Sequence, residues 1–173
     1  PAIEIDGSSA GSGASGLVAA AGSDGSSIRG LVVNRFGTGS GIQLLSNDNV
    51  VQCSYVGTNA AGTSAAPNRF GVEVQNGNRN LIGGTGAGQG NLLSGNSFQG
   101  ARISGLSATG NLVKGNRIGI VAFAGEAVIQ CPLTLDYNAV KLFLSTVSPN
   151  LISFQGTAIG KAIAVSTLAF SDK

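Results

Sequence analysis

Short triplets that alternate apolar, polar and apolar residues recur along this chain. Three of them follow a glycine and lie 30 and 29 residues apart: Ile42-Gln43-Leu44, Val72-Glu73-Val74 and Ala101-Arg102-Ile103. A period of two is typical of β-strands and not of helices. The triplets therefore predict three equivalent short strands.

A second series places an asparagine before two apolar residues. Its members are spaced by 31 residues: Asn49-Val50-Val51, Asn80-Leu81-Ile82 and Asn111-Leu112-Val113. Asparagine and glycine tolerate left-handed backbone angles, so we expect these residues to form tight corners between strands. Strands and corners repeated at a nearly constant period predict a solenoid of β-coils.

In such a solenoid, each strand pairs with its equivalent one coil away, about 4.8 Å distant. The triplets then predict two inward columns and one outward column between them. The inward columns are Ile42–Val72–Ala101 and Leu44–Val74–Ile103, and the outward column is Gln43–Glu73–Arg102. The asparagines at 49, 80 and 111 are expected to form an amide ladder at one corner. The fold prediction is an all-β, right-handed parallel β-helix of five or six coils.

Two further segments are assigned from the same repeat. The phrases GNLLSGN from Gly90 and GNLVKGN from Gly110 are expected to occupy successive corners and faces. The small polar segment from Thr58 to Asn68 is expected to protrude from the stack as a loop.

The regular repeat ends near Gly119. We predict coils over residues 1–119 and a divergent, strand-rich segment over 120–173, which is more apolar and poorer in glycine. This segment is interpreted as degenerate coils or a cap, with a short amphipathic helix at Tyr137–Thr146 as the alternative. Because an open strand edge invites association, we expect a homo-oligomer formed through this C-terminal segment.

Several stretches resemble a known group of proteins. The phrases IRGLVVNRFGTGSGIQL, NVVQCSYVGTNAAGTSAAPN, NLIGGTGAGQGNLLSGN and GNLVKGNRIG are similar to bacterial right-handed parallel β-helix repeat proteins of the pectate-lyase-like superfamily. The resemblance covers residues 1–119. It implies the β-helix fold and a secreted or cell-surface location. It leaves function open, because such proteins include both segments of large surface proteins and carbohydrate-active enzymes.

Composition narrows the classes of partner. Charged residues make up 10% of the chain, the net charge is +2, and the basic residues form no cluster. Nucleic acid is therefore not expected as a partner, because phosphate binding needs a basic face. No segment approaches the ~20 apolar residues of a membrane span. Cys53 and Cys131 are expected to be small buried residues, with a disulfide between them as the less favoured alternative.

Three glycine-rich motifs are weak candidates for catalysis or nucleotide binding. Residues 11–16 match G-x-G-x-x-G and residues 7–11 match G-x-S-x-G, but no helical pattern follows, and the chain has no histidine to act as a base. Residues 83–90 lack the lysine of a phosphate-binding loop. Asn47-Asp48-Asn49 offers too few oxygens for calcium. We therefore predict no cofactor, no metal and no catalytic residue.

The remaining candidates are five polar residues that could contact a ligand. They are Gln43, Glu73 and Arg102 of the outward column, with Lys114 and Arg117 as a mild basic patch beside them. Such a surface could bind an acidic polysaccharide. The predicted function is a non-catalytic structural or glycan-contacting β-solenoid module. The alternative is a carbohydrate-active or ester-cleaving hydrolase or lyase with an unorthodox site on the outer face.

Overall fold

The computed structural model describes residues 1–123 and 127–134, with side chains for residues 1–117. The chain divides into two compact units, Pro1–Asn116 and Arg117–Lys173, each of which is considered by itself. The candidate helix at Tyr137–Thr146 lies outside the described residues. Within the described residues, no helix is long or apolar enough to cross a membrane.

The first unit contains twelve short strands separated by corners and loops. Their bounds are β1 Ile3–Asp6, β2 Leu17–Ala19, β3 Ser27–Arg29, β4 Leu31–Asn34, β5 Ser40–Leu44, β6 Val50–Gln52, β7 Tyr55–Val56, β8 Phe70–Gln75, β9 Leu81–Gly83, β10 Leu92–Leu93, β11 Ala101–Ser104 and β12 Leu112–Lys114.

These strands form three parallel sheets in which every third strand is a neighbour. The first sheet has the order β1-β4-β7-β10, the second β2-β5-β8-β11 and the third β3-β6-β9-β12. Each set of three consecutive strands therefore makes one coil, and four coils stack into a parallel β-solenoid. The predicted solenoid is confirmed, but the predicted number of five or six coils is wrong for the described residues, which form four.

The register of the second sheet confirms the three predicted columns, but Ile103, on the edge strand β11, is 42% exposed and not buried as its inward position predicted. Ile42 pairs with Val72 and Val72 with Ala101, while Leu44 pairs with Val74 and Val74 with Ile103. Gln43, Glu73 and Arg102 pair in the same order between them. The inward side chains on β5 and β8 are fully buried and form the centre of the hydrophobic core. Burying a side chain of this size contributes roughly 1.5–3 kcal/mol.

The asparagine ladder at the corner before the third sheet is also confirmed. The Nδ2 group of Asn49 donates to Oδ1 of Asn80 at 2.8 Å, and Nδ2 of Asn80 donates to Oδ1 of Asn111 at 3.0 Å. The same two oxygens accept the backbone N–H groups of Asn49 and Asn80, both at 2.9 Å. Each asparagine thus joins two coils through its side chain as well as through the strands.

The residue that turns the chain at these corners is not the asparagine, as the sequence suggested, but the residue before it. Asp48, Arg79 and Gly110 have φ angles of 59°, 52° and 67°, in the left-handed region. The same pairing of a left-handed residue with a following polar side chain recurs at Gly95-Asn96 and Gly115-Asn116. Positions with this backbone favour glycine, which explains the frequent Gly-Asn pairs.

The hydrogen bonds of the asparagines explain why one phrase occurs twice within about twenty residues. In GNLLSGN, Asn91 and Asn96 stand at the two ends of β10, and in GNLVKGN, Asn111 and Asn116 stand at the two ends of β12. Asn91 donates to Asn116, whereas Asn96 accepts from Asn68 and Asn111 accepts from Asn80. Each phrase therefore contains one short strand of a coil together with the asparagines before and after that strand.

The segment from Thr58 to Asn68 does not simply protrude as expected. Thr58 forms an antiparallel bridge with Ala65, and Asn59 donates its backbone N–H to Ser64. Gly62 is buried, and a Cβ atom there would lie 3.0 Å from both Leu92 and Tyr55. The loop is thus a small hairpin folded back onto the first sheet, and its close approach needs a glycine.

Cys53 departs from the expectation of a small buried residue. It is half-buried, is a free cysteine and has a left-handed φ of 56° at the corner after β6. Its place in the fold is that of a corner residue.

The second unit contributes two described strands, β13 Ile118–Phe123 and β14 Ala127–Thr134. They pair antiparallel, with irregularities between Ile118 and Val121. Cys131 lies in β14 and pairs with Ile120. The predicted role of residues 120–173 in capping or oligomerisation remains a prediction.

Candidate ligand-contact face on the second sheet

The outward column of the second sheet brings together three of the five predicted site residues. Gln43, Glu73 and Arg102 lie on adjacent strands in register, and Val18 precedes them on β2. Gln43 and Arg102 are partly exposed, and Val18 is 49% exposed. The column therefore forms a polar strip across three strands, with the apolar Val18 at its end on β2.

Glu73 is the exception in this strip because its side chain is almost fully covered. The residue is 7% exposed, and its carboxylate accepts hydrogen bonds from Ser40 Oγ at 2.6 Å and Gln43 Nε2 at 3.4 Å. Arg102 Nη1 lies 3.1 Å from the other carboxylate oxygen. The charge of Glu73 is thus neutralised by a guanidinium group, as a buried carboxylate requires.

Ser40 reaches this carboxylate because the alternation of β5 breaks at Gly41. A Cβ atom on Gly41 would meet Val56 and Asn68 inside the solenoid, so Gly41 and Ile42 both face inward. Ser40 and Gln43, which flank them, consequently both face Glu73. The glycine before the triplet bends the strand so that one more polar side chain joins the outer face.

Aromatic and cationic side chains extend the polar strip toward the start of β8. The Cζ atom of Arg102 lies 4.6 Å from the ring centroid of Phe70. The Cζ atom of Arg69 lies 5.1 Å from the same centroid and 5.6 Å from that of Phe98. The two rings are 5.8 Å apart and tilted by 48°. Guanidinium groups at these distances are attracted by the negative faces of the rings.

Of the two remaining predicted residues, one lies on another sheet of the solenoid and the other lies in the second unit. Lys114 is exposed at the end of β12, in the third sheet, and not beside Arg102 in the second. Arg117 is exposed and begins the second unit. Within the first unit, the accessible residues of the candidate contact face are therefore Gln43, Arg69, Phe98 and Arg102, and the buried residues Ser40, Phe70 and Glu73 support them.

Sequence reasoning missed Ser40, Arg69, Phe70 and Phe98. Ser40 and Phe70 stand directly before the glycine of their triplet, and Phe98 stands two residues before Gly100. A rule that side chains alternate assigns Ser40 and Phe70 to the interior. The recurring glycine was the available signal, because a glycine in a strand often marks a bend or bulge.

The residues of the glycine-rich motifs form turns and loops with local hydrogen bonds. The strand β1 is followed by a turn in which Asp6 Oδ1 accepts the N–H of Ser8 at 2.7 Å, and the next element is β2. In the glycine-rich loop after β9, the side chain of Gln89 accepts the N–H of Gly86 at 3.0 Å. No grouping of three or more His, Cys, Asp or Glu side chains suited to a metal ion occurs in the part of the chain that the structure describes.

The Asn47-Asp48-Asn49 corner serves to join coils. Asn47 Oδ1 accepts the N–H of Asn78 at 2.9 Å, and Asp48 forms a two-pronged ion pair with Arg79 at 2.8 and 2.7 Å. Hydrogen bonding to Arg79 lowers the pKa of the Asp48 carboxyl, and the same contact raises the pKa of Arg79. On the first coil, hydrogen bonds from Ser8 lower the pKa of Asp6, with a smaller contribution from Arg35.

The fold and this surface define a parallel β-solenoid with a polar and aromatic contact face on one sheet. No protein-family model, curated protein or solved structure matches the chain. The class thus follows from the strand topology, and the resemblance to the pectate-lyase-like superfamily remains a hypothesis.

Proposed function

We propose that this chain is a non-catalytic β-solenoid module that contacts glycans through the outer face of the second sheet. The observation that carries the proposal is the environment of the Glu73 carboxylate, which accepts two hydrogen bonds and forms one ion pair while Gln43 and Arg102 remain partly exposed. A carboxylate engaged in this way organises a surface and is poorly placed to transfer protons.

The composition of the face supports a sugar polymer as the ligand. Sugar hydroxyl groups match the amide of Gln43 and the guanidinium of Arg102, and the apolar faces of sugar rings match an exposed ring such as Phe98. Equivalent side chains recur about every 4.8 Å along the stack, so an extended ligand could meet several coils. A module of this kind belongs in a secreted or cell-surface protein, the location that we propose.

Binding measurements on the full chain test this proposal. We expect titration with polysaccharides, followed by calorimetry, to detect binding that Gln43→Ala weakens about fivefold, which corresponds to one hydrogen bond. Thr85→Ala, in an exposed loop away from the second sheet, is the matched control and should bind as the wild type does. If neither neutral nor anionic polysaccharides bind, the proposal is wrong.

The alternative is an ester-cleaving or carbohydrate-active enzyme, and one contact favours it. Ser40 Oγ lies 2.6 Å from Glu73, an arrangement in which a carboxylate could accept a hydroxyl proton. Ser40 is only 2% exposed, however, and Arg102 already occupies the other oxygen of the carboxylate, which leaves little room for a substrate. Turnover of p-nitrophenyl esters or polysaccharides that disappears in both Ser40→Ala and Glu73→Gln would establish the enzyme instead.

A further inference from the structure

Arg69 shares with Arg29 the lack of an ion pair among residues 1–117, and differs in this from the arginines at 35, 79 and 102. Arg35, Arg79 and Arg102 each form an ion pair with a carboxylate on the preceding coil. Arg69 has an exposed side chain, and its guanidinium forms no ion pair with any residue in 1–117. The backbone N–H of Arg69 donates to the carbonyl groups of Phe36 and Gly39 on the preceding coil. At this position the preceding coil therefore contributes backbone carbonyls and not a carboxylate.

Two phenyl rings hold this guanidinium in place. Phe70 is buried and contacts Arg102 as well as Arg69, so its position is fixed by the sheet. Phe98 is 64% exposed, and its backbone N–H donates to the carbonyl of Arg69 at 2.9 Å. A guanidinium that is oriented before a ligand arrives loses less side-chain entropy on binding.

We propose that Arg69 and Phe98 form a subsite for an anionic sugar, with its carboxylate or sulfate on Arg69 and its ring against Phe98. This inference rests on the proposed glycan-contacting function and names the chemical class of the ligand. The planar guanidinium can donate two parallel hydrogen bonds to an oxyanion, and it lies in a surface whose one acid, Glu73, is already neutralised.

A nucleic acid is the other anionic polymer to consider, and the structure does not favour it. Affinity for a phosphate backbone comes from many basic contacts along a groove. Among residues 1–116, the basic groups on this face are Arg69 and Arg102, and Arg102 is paired with Glu73. One free guanidinium beside an exposed ring fits a single anionic group on a sugar better than a row of phosphates.

Calorimetry with three soluble polymers tests the subsite. Hyaluronate carries carboxylates, dextran sulfate carries sulfates, and dextran is neutral. We expect Arg69→Gln to weaken binding of an anionic polymer at least tenfold and to leave dextran binding unchanged. Arg69→Lys should give an intermediate loss, because it keeps the charge but not the planar fork. Phe98→Ala should weaken binding of all the polymers that bind.

Arg29→Gln is the matched control, because Arg29 is exposed on the third sheet and its guanidinium donates to the hydroxyl of Ser27. Thermal melts confirm that each variant is folded, and Arg69→Lys replaces Arg69→Gln if the latter does not fold. If Arg69→Gln weakens only the binding of hyaluronate, the group that binds Arg69 is a carboxylate. If it weakens only the binding of dextran sulfate, that group is a sulfate.

The possible results distinguish a failure of the Arg69–Phe98 subsite from a failure of the proposed glycan-contacting function. Equal losses in Arg69→Gln and Arg29→Gln, or equal affinity for dextran and the anionic polymers, overturn the subsite and leave the glycan-contacting function standing. Tighter binding of a single-stranded oligonucleotide than of dextran sulfate overturns the ligand class. Failure of every polymer to bind overturns both the subsite and the proposed function.

Discussion

At the scale of single residues, each of these corners is formed by two neighbouring residues with different roles. The first residue adopts the left-handed backbone that turns the chain, as Arg79 does, and the second sends its side chain to the adjacent coil, as Asn80 does. The sequence revealed the second role, because Asn49, Asn80 and Asn111 recur at a constant spacing. The sequence did not reveal the first role, because the turning position is taken by aspartate, arginine or glycine, whose side chains have nothing in common.

Asn80→Ala tests the ladder at this scale. The amide of Asn80 is buried, accepts two hydrogen bonds from Asn49 and donates to Asn111 and to the carbonyl of Ser46. Its removal leaves buried donors and acceptors without partners, so we expect the free energy of unfolding to fall by about 2–4 kcal/mol. Urea denaturation measures this change.

Asn78→Ala provides the matched comparison two residues earlier. Asn78 is only half-buried, and its side chain accepts from Thr109 at the exposed edge of the same corner. Water can replace those bonds, so we expect a loss below about 1 kcal/mol. Equal losses in the two variants would show that the inner ladder is not the stabilising element.

At the scale of strands, the alternation of the triplets was sufficient to predict the columns and the register. It was not sufficient to predict the contact face, because the face depends on the bend at Gly41 and on the burial of Glu73. It also failed for the hairpin after β7, where small residues suggested a loose loop but Gly62 packs closely over Leu92 and Tyr55. In each case the missing information is a contact between residues that no periodicity relates.

Val74→Asp tests the inward columns. Val74 is fully buried between Leu44 and Ile103, so an aspartate there would place an unpaired charge in the core. The cost is several kcal/mol, and we expect the cooperative thermal transition of the solenoid to be lost. Circular dichroism during heating measures it.

Gln75→Asp is the control on the same strand. Gln75 is the next residue of β8 and is exposed, so the same new side chain would meet water. We expect a melting temperature close to that of the wild type. A Val74→Asp variant that melts as Gln75→Asp does would disprove the assignment of Val74 to the interior.

At the scale of the whole solenoid, the first unit is held together by contacts between successive coils. Every ion pair in residues 1–117 joins an acid on one coil to an arginine on the next, as in Asp6–Arg35, Asp48–Arg79 and Glu73–Arg102. The amide ladders join adjacent coils in the same way. Because each coil is stabilised by its neighbours, a coil with one neighbour should open more readily than a coil with two.

Hydrogen exchange followed by mass spectrometry tests this expectation on the first two coils. The strands β1, β2 and β3 each stand at the edge of their sheet, whereas β4, β5 and β6 pair on both sides. Parallel pairing on one side leaves half of the amide groups of an edge strand without a carbonyl partner from the sheet. We therefore expect peptides from residues 3–19 to take up deuterium faster than peptides from residues 31–44. Protection of the first coil equal to that of the second would mean that the edge strands are covered, and that the stack continues or associates beyond β1.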